Sequence, residues 1–284
     1  MKNVFTVDVE DYFQVQAFAD VIDPARWDDY QPRVLANTAA VLELLAERGV
    51  TGTFFVLGWV AKRTPGLVRQ IARAGHEIAS HGMNHRMITR QSAEVFRSET
   101  RESKKLLEDL CQQPVIGYRA ATYSITSKSV WALDILCEEG FKYDSSIFPM
   151  RHDYYGIPDA NPLPHRLTTP NGASLAEFPI SVLQRHGLTI PVAGGGYFRL
   201  LPYRFTRWAL RELNAASQEF VFYIHPWEVD PGQPRIDRAG LVSRFRHYQN
   251  LKRCSARLRL LLADFEFTTM RSVLLQKGLL EPGV

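Results

Sequence analysis

Cysteine is scarce in this chain: Cys111, Cys137 and Cys254 are widely separated and form no C-x-x-C pair. That excludes a disulfide framework and a cysteine-built zinc site, and it fits a reducing compartment. No stretch reaches the roughly 18 consecutive apolar residues of a spanning helix, and the N-terminus runs straight into acid-bearing sequence without an apolar leader core. The expectation is a cytoplasmic protein with no transmembrane segment. Charge of one sign is also lacking, because 34 basic residues stand against 30 acidic ones. The resulting net charge of +4 is too slight to imply nucleic-acid binding, and no nucleic-acid signature reinforces it. There is no G-x-S-x-G nucleophile elbow. GGGY at 194–197 lacks the spacing of a dinucleotide site and reads as a turn with close backbone approach.

What the chain does contain is an alternation of short apolar runs and helical patterns. VFTVDV (4–9), TFFVLG (53–58), the stretch HEIASHG and PVIGYR read as strands. Between them lie helices that end in Gly49, Gly75 and Gly140, with Pro65 in one first turn and Ser92 as the N-cap of another. Strand–helix units in this order predict an α/β fold with a parallel sheet, doubly wound or closed into a barrel, and function at the carboxyl ends of the strands. Residues 149–172, rich in Pro, Asn, His and Asp, read as irregular. LAEFPI, a helix over PYRFTRWALRELNAAS and a strand over 219–225 follow. The tail reads as one long basic helix, LVSRFRHYQNLKRCSARLRLLLADF, with an apolar line through Leu251, Cys254, Leu258, Leu261 and Phe265 that packs on the core. Peripheral membrane contact through its basic face is the lesser reading.

Chemistry gathers at the strand ends. His81 and His85 are four apart after the third strand, a spacing that on one helical turn puts both imidazoles on one face, close enough to share a metal ion. His76 and His81 are five apart and would diverge on a helix, so HEIASH is not a zincin motif. Asp8, Glu10 and Asp11 close the first strand and offer both an anionic metal ligand and a separate base. Strand alternation puts Asp8 and Glu10 on one face and favours Glu10 as the ligand, while a bend at the strand end would bring Asp11 to the metal instead. Arg119 follows the fourth strand, where its fork could hold a carboxylate, and His225 ends a later one, suited to a general acid.

These residues resemble the polysaccharide deacetylases with a NodB homology domain, metal-dependent carbohydrate esterases, through T-V-D-V-E-D (6–11), H-G-M-N-H (81–85), R-A-A-T-Y (119–123) and I-H (224–225) in that order. DVEDYFQV, YDSSIFP, GGGYFRLLPY and HPWEVDP further resemble the branch found beside exopolysaccharide and exosortase (PEP-CTERM) loci. The resemblance implies a distorted (β/α) barrel with a helical extension, the deacetylase domain over residues 1–230 and the extension over 231–284 packed on it. It implies Asp8 as base, Arg119 orienting it, His81 and His85 as metal ligands with Zn2+ foremost and Co2+ or Ni2+ as substitutes, and His225 as general acid. The backbone N–H around Tyr123 would be the oxyanion donor, and Asp144 in YDSSIF is the nearest candidate to orient His225. The implied activity is removal of N-acetyl, less readily O-acetyl, groups from a hexosamine-containing saccharide in exopolysaccharide biosynthesis, with a lipid-carried precursor as the simpler target. Deformylation of a lipid-linked aminosugar, ureide or cyclic-imide hydrolysis, and a catalytically silent saccharide-binding module are the alternatives. The oligomeric state stays open.

Overall fold

The computed structural model describes residues 1–152 and 155–283. β1 (Lys2–Val9) is buried from Asn3 onward, and strand alternation divides its side chains. Phe5, Val7 and Val9 join the core beneath the helices, whereas Val4 joins the inner core and Thr6 and Asp8 bind Arg119 there. The same division recurs in the later strands, so the barrel interior is apolar at one end and polar at the carboxyl end.

The chain continues through α1 (Val34–Ala46), β2 (Thr53–Val56), α2 (Gly58–Arg63), α3 (Pro65–Arg73), β3 (Glu77–Ser80), α4 (Ala93–Cys111), β4 (Gly117–Tyr118), α5 (Trp131–Glu138) and β5 (Tyr143–Asp144). Proline opens α3, and Ser92 Oγ caps α4 by accepting from Val95 N at 3.3 Å, both where the sequence places them. Next come β6 (His165–Thr168), β7 (Ser174–Glu177), β8 (Val182–Arg185), β9 (Leu188–Pro191), α6 (Gly195–Leu200), α7 (Tyr203–Ala215) and β10 (Val221–Ile224). α8 (Leu241–Tyr248), α9 (Leu251–Asp264), β11 (Glu266–Thr268) and α10 (Met270–Gln276) complete it. The main sheet runs β10-β1-β2-β3-β4-β5-β7-β6, parallel except for β6, and among the described residues no ladder joins β6 to β10. The result is a distorted (β/α) barrel, open on one side.

Three sequence expectations change. The segment 149–172 is not wholly irregular, since β6 pairs antiparallel with β7; its two half-buried and two exposed positions carry no apolar run by which to detect it. Asp153 and Tyr154 of that segment lie outside the described residues. The GGGY glycines open α6 rather than a turn, although the close approach is real: a Cβ on Gly195 would lie 2.2 Å from both carboxylate oxygens of Glu228. The long tail helix is two helices. Asn250 adopts φ 52° between α8 and α9 and donates to Arg199 O at 2.8 Å, so a tertiary contact overrides the helical pattern. The expected apolar line survives on α9, where Leu251, Cys254, Leu258 and Leu261 are buried, each Leu contributing about 2 kcal/mol.

The extension also enters the sheet. β11 pairs in parallel with Lys2–Val4, while β2 pairs with Thr6–Val9. Val4 is already paired with Val221 on the other edge, so β11 and β2 share one side of β1.

Candidate active site

The first strand delivers its acids to different places. Asp8 and Glu10 are both 2% exposed and face the cleft. Asp11 does not. Its Oδ2 accepts from Arg33 N at 2.7 Å and Val34 N at 2.9 Å, and its Oδ1 from Tyr12 N at 2.9 Å. It therefore caps the N-terminus of α1, where otherwise unpaired N–H groups and the helix dipole favour a carboxylate.

His81 and His85 sit in a loop after β3, not on a helical turn; Gly82 at φ 75° and His85 at φ 48° fold that loop back. Their rings lie 5.3 Å apart. His81 Nδ1 is 2.9 Å from Arg119 O, which can only accept, so Nδ1 carries the proton and Nε2 keeps its lone pair. Glu10, His81 and His85 each turn a ligand atom to a common point, all within 4.8 Å of one another. Glu10 Oε2 lies 2.6 Å from His85 Nε2 but off the line of a hydrogen bond, and is left buried without a hydrogen-bond partner. Two imidazole nitrogens and an orphaned carboxylate oxygen fit a divalent cation of the zinc type. Burial would raise the Glu10 pKa, but His85 and His225 hold it down at about 2, so the ligand oxygen is ionised.

Arg119 is fully buried and donates from Nη1 to Asp8 Oδ1 at 2.7 Å and to Thr6 Oγ1 at 2.8 Å. Its other nitrogens reach Ser145 O and Oγ at 3.1 and 3.0 Å. Tyr123 N already donates to Ala120 O at 3.0 Å, so the amide expected to hold an oxyanion is engaged; its hydroxyl instead reaches Asp8 Oδ2 at 3.4 Å. Thr122 and Tyr123 have φ of 56° and 51°, a left-handed pair that costs conformational energy and turns this loop into the cleft. Asp144 does not orient His225. It binds Ser146 N and Oγ at 3.0 and 2.6 Å, and Ser146 Oγ accepts from Ala120 N at 2.7 Å, so Asp144 secures the Arg119 loop.

The group that does hold His225 is Glu228. Its Oε1 lies 2.8 Å from His225 Nδ1 and 3.1 Å from the His225 backbone N, while Oε2 accepts from Arg199 Nε at 2.7 Å. Burial would raise the Glu228 pKa, yet Arg199 and His225 bring it to about 2, so it accepts from a protonated Nδ1. His225 Nε2 then points at Glu10 Oε1, 3.5 Å away, and at Asp8 Oδ2, 4.0 Å away. Burial opposes its charge, but Glu10, Glu228 and Asp8 together raise its pKa to about 9. Behind the pair, Arg199 donates to His247 O and Gln249 O at 2.8 Å each, the carbonyls at the break between α8 and α9. His225, Trp227 and His247 stack in series, with centroid separations of 5.2 and 4.1 Å.

Asp8, Glu10, His81, His85, Tyr123 and His225 line one cleft of about 170 Å3, with Val15, Gln16, Tyr155 and Tyr223 at its walls. Residues 26–137 match the profile of the polysaccharide deacetylase family, and residues 145–275 match a domain of unknown function, DUF3473. A chitooligosaccharide deacetylase from Rhizobium leguminosarum bv. trifolii is 35% identical over 99 residues, which are 35% of this chain and 43% of that protein. Over residues 26–137 the chain is similar to a polysaccharide deacetylase domain. A peptidoglycan-N-acetylglucosamine deacetylase from Bacillus cereus is 35% identical over 79 residues, 28% of this chain and 37% of that protein. The chain thus spans less than half the length of these curated relatives. A crystal structure of a putative polysaccharide deacetylase from Mycobacterium smegmatis shares the fold, with TM-score 0.61 and 23% identity over 99% of this chain and 93% of that one.

The deacetylase profile ends at 137, before His225, Glu228 and Arg199, which all fall in the second match. Glu228 and Arg199 are the site residues that sequence reasoning missed. Their signals lay in HPWE, where a carboxylate three residues after the histidine can reach back to it, and in GGGYFR. Among the described residues no helix of the chain is long and apolar enough to cross a membrane.

Proposed function

We propose that this chain is a metal-dependent hydrolase that removes N-acetyl groups from a hexosamine in a saccharide made for export. The observation that carries the reading is the convergence, in one cleft, of the Glu10–His81–His85 donor set with the Asp8–Arg119 pair and His225. The sequence similarity to chitooligosaccharide and peptidoglycan-N-acetylglucosamine deacetylases supports the acetamido sugar as substrate. The cleft, smaller than the roughly 300 Å3 at which pockets begin to engulf a small molecule, suits a site that swallows an acetyl group and leaves the glycan at its rim.

Zn2+ held by Glu10, His81 and His85, with Co2+ or Ni2+ as substitutes, would polarise the acetamide carbonyl and acidify water at neutral pH. Asp8 accepts the proton of the attacking water, and Arg119 fixes that carboxylate so that its second oxygen faces the cleft. His225 gives its Nε2 proton to the departing amine nitrogen, which would otherwise leave as a poor anion. Tyr123 turns its hydroxyl rather than its amide toward Asp8 and would offer a side-chain donor in the cleft. A location on the cytoplasmic side of the membrane, association with an exopolysaccharide locus and a lipid-carried substrate complete the reading.

The test measures acetate release from an N-acetylated chitooligosaccharide by protein stripped with a chelator and then reloaded with Zn2+ or Co2+. Loss and recovery of acetate release is the expected result. Activity indifferent to chelation overturns the reading. Formate release or ring opening of a cyclic amide, without acetate, would move it to another C–N bond.

A further inference from the structure

The apolar line of the C-terminal extension is absorbed by α9, yet α8 keeps a second apolar face that nothing among the described residues covers. Leu241, Val242 and Phe245 are 80%, 64% and 60% exposed, and Leu200 beside them is 46% exposed. Leu200, Leu241 and Phe245 line an open groove with Arg235, Arg244 and Tyr248, and Val242 adds a further exposed apolar side chain to the same helix. Scattered single apolar residues on a surface are ordinary; three large ones sharing one groove are not. Residues 235–260 carry eight basic side chains, Arg235, Arg238, Arg244, Arg246, Lys252, Arg253, Arg257 and Arg259, against the single acid Asp237.

We infer that α8 and its surroundings dock the protein on an anionic membrane surface. Charge selects this occupant. A second copy meeting this face across a two-fold axis would set the same basic cluster against itself. Phosphates of a nucleic acid would satisfy the arginines but leave Leu241, Val242 and Phe245 in water. An anionic bilayer serves both, with acyl chains receiving the apolar side chains and headgroups the arginines. α8 is also the helix whose His247 stacks on Trp227 and packs on Phe18 at 4.6 Å, next to Gln16 of the cleft wall. The docking helix is thus joined through its inner face to residues beside the cleft. None of this depends on the reaction proposed above.

The experiment is co-sedimentation of the full chain with vesicles of phosphatidylcholine alone or with about a third phosphatidylglycerol, at low and high salt. Binding at least tenfold tighter to the anionic vesicles, weakened by salt as expected for a charge-dependent interfacial contact, is the expected result. The triple variant Leu241→Ser, Val242→Ser, Phe245→Ser, whose positions are exposed and whose fold is checked by circular dichroism, should lose at least tenfold. Arg238→Glu with Arg253→Glu should lose binding while retaining the apolar face. Equal binding to both vesicle types, unchanged binding by the triple variant, or a dimer in sedimentation velocity that the triple variant dissolves would each overturn the inference.

Discussion

Among the described residues two arginine–carboxylate pairs lie buried, and they do opposite work. Arg119–Asp8 has side chains 0% and 2% exposed, and Arg199–Glu228 has 2% and 0%. Each arginine spends its remaining donors on backbone carbonyls or hydroxyls, so each charge is compensated as burial demands. The first pair offers its carboxylate to the cleft, where it can take a proton. The second turns its carboxylate away from the cleft, onto the back of a histidine. The same chemical unit thus supplies a reactive group in one place and a support in the other, and the free side of the carboxylate decides which.

The largest expected effect comes from Asp8→Asn, which removes the proposed base and leaves Arg119 buried without its counter-ion. We expect kcat for acetate release to fall about 10³-fold, with a stability loss of roughly 3–5 kcal/mol in urea titration. Arg199→Met strands Glu228 in the same way and should cost a similar roughly 3–5 kcal/mol, but its effect on kcat should follow from His225 losing orientation, so KM for the sugar stays near its starting value.

A titration of stability separates the two regions further. His247, stacked behind the second pair, has its pKa lowered to about 3, by burial first and by Arg199 next. The unfolded chain takes up a proton near pH 6.5 that the folded chain refuses. Folding stability should therefore decline as pH falls from about 6.5 toward 3, by up to about 1.4 kcal/mol per pH unit from this group. His247→Phe, which keeps the stack, should flatten that slope; an unchanged slope would assign it elsewhere. The smallest effect on kcat is expected of Glu228→Gln, which retains an acceptor for His225 Nδ1–H but removes the negative charge and, like Asp8→Asn, leaves a buried arginine without its counter-ion. A loss of about 10–100-fold in kcat, with the alkaline limb of the rate profile moved to lower pH, is the outcome that marks Glu228 as a positioning residue.

How much of this was legible follows from the range of the contacts. Asp8, Glu10, His81 and His85 could be read because strand alternation and a four-residue spacing are local facts, and Arg119 because it closes a strand. Even there, the helical turn assumed for the histidine pair proved to be a loop. That Asp11 turns from the cleft while Glu10 faces it depends on α1, whose N-terminus arrives from residues 33 and 34 to claim Asp11. The second pair was not legible. Arg199 and Glu228 are 29 residues apart, and the carbonyls that fix Arg199 come from a helix break that hydrophobic periodicity predicts as continuous helix.

The seating of β11 against the start of β1 has a consequence for how the molecule comes into being. Lys2–Val4 find their partner on that edge only when residues 266–268 exist, so a sequence separation of more than 260 residues must be closed to complete the strand that presents Asp8. Contacts this distant form slowly, because most of the chain must be ordered before they are rewarded. During synthesis the strand made first is therefore completed among the last, its start waiting on residues 266–268 while Thr6–Val9 can already pair with β2.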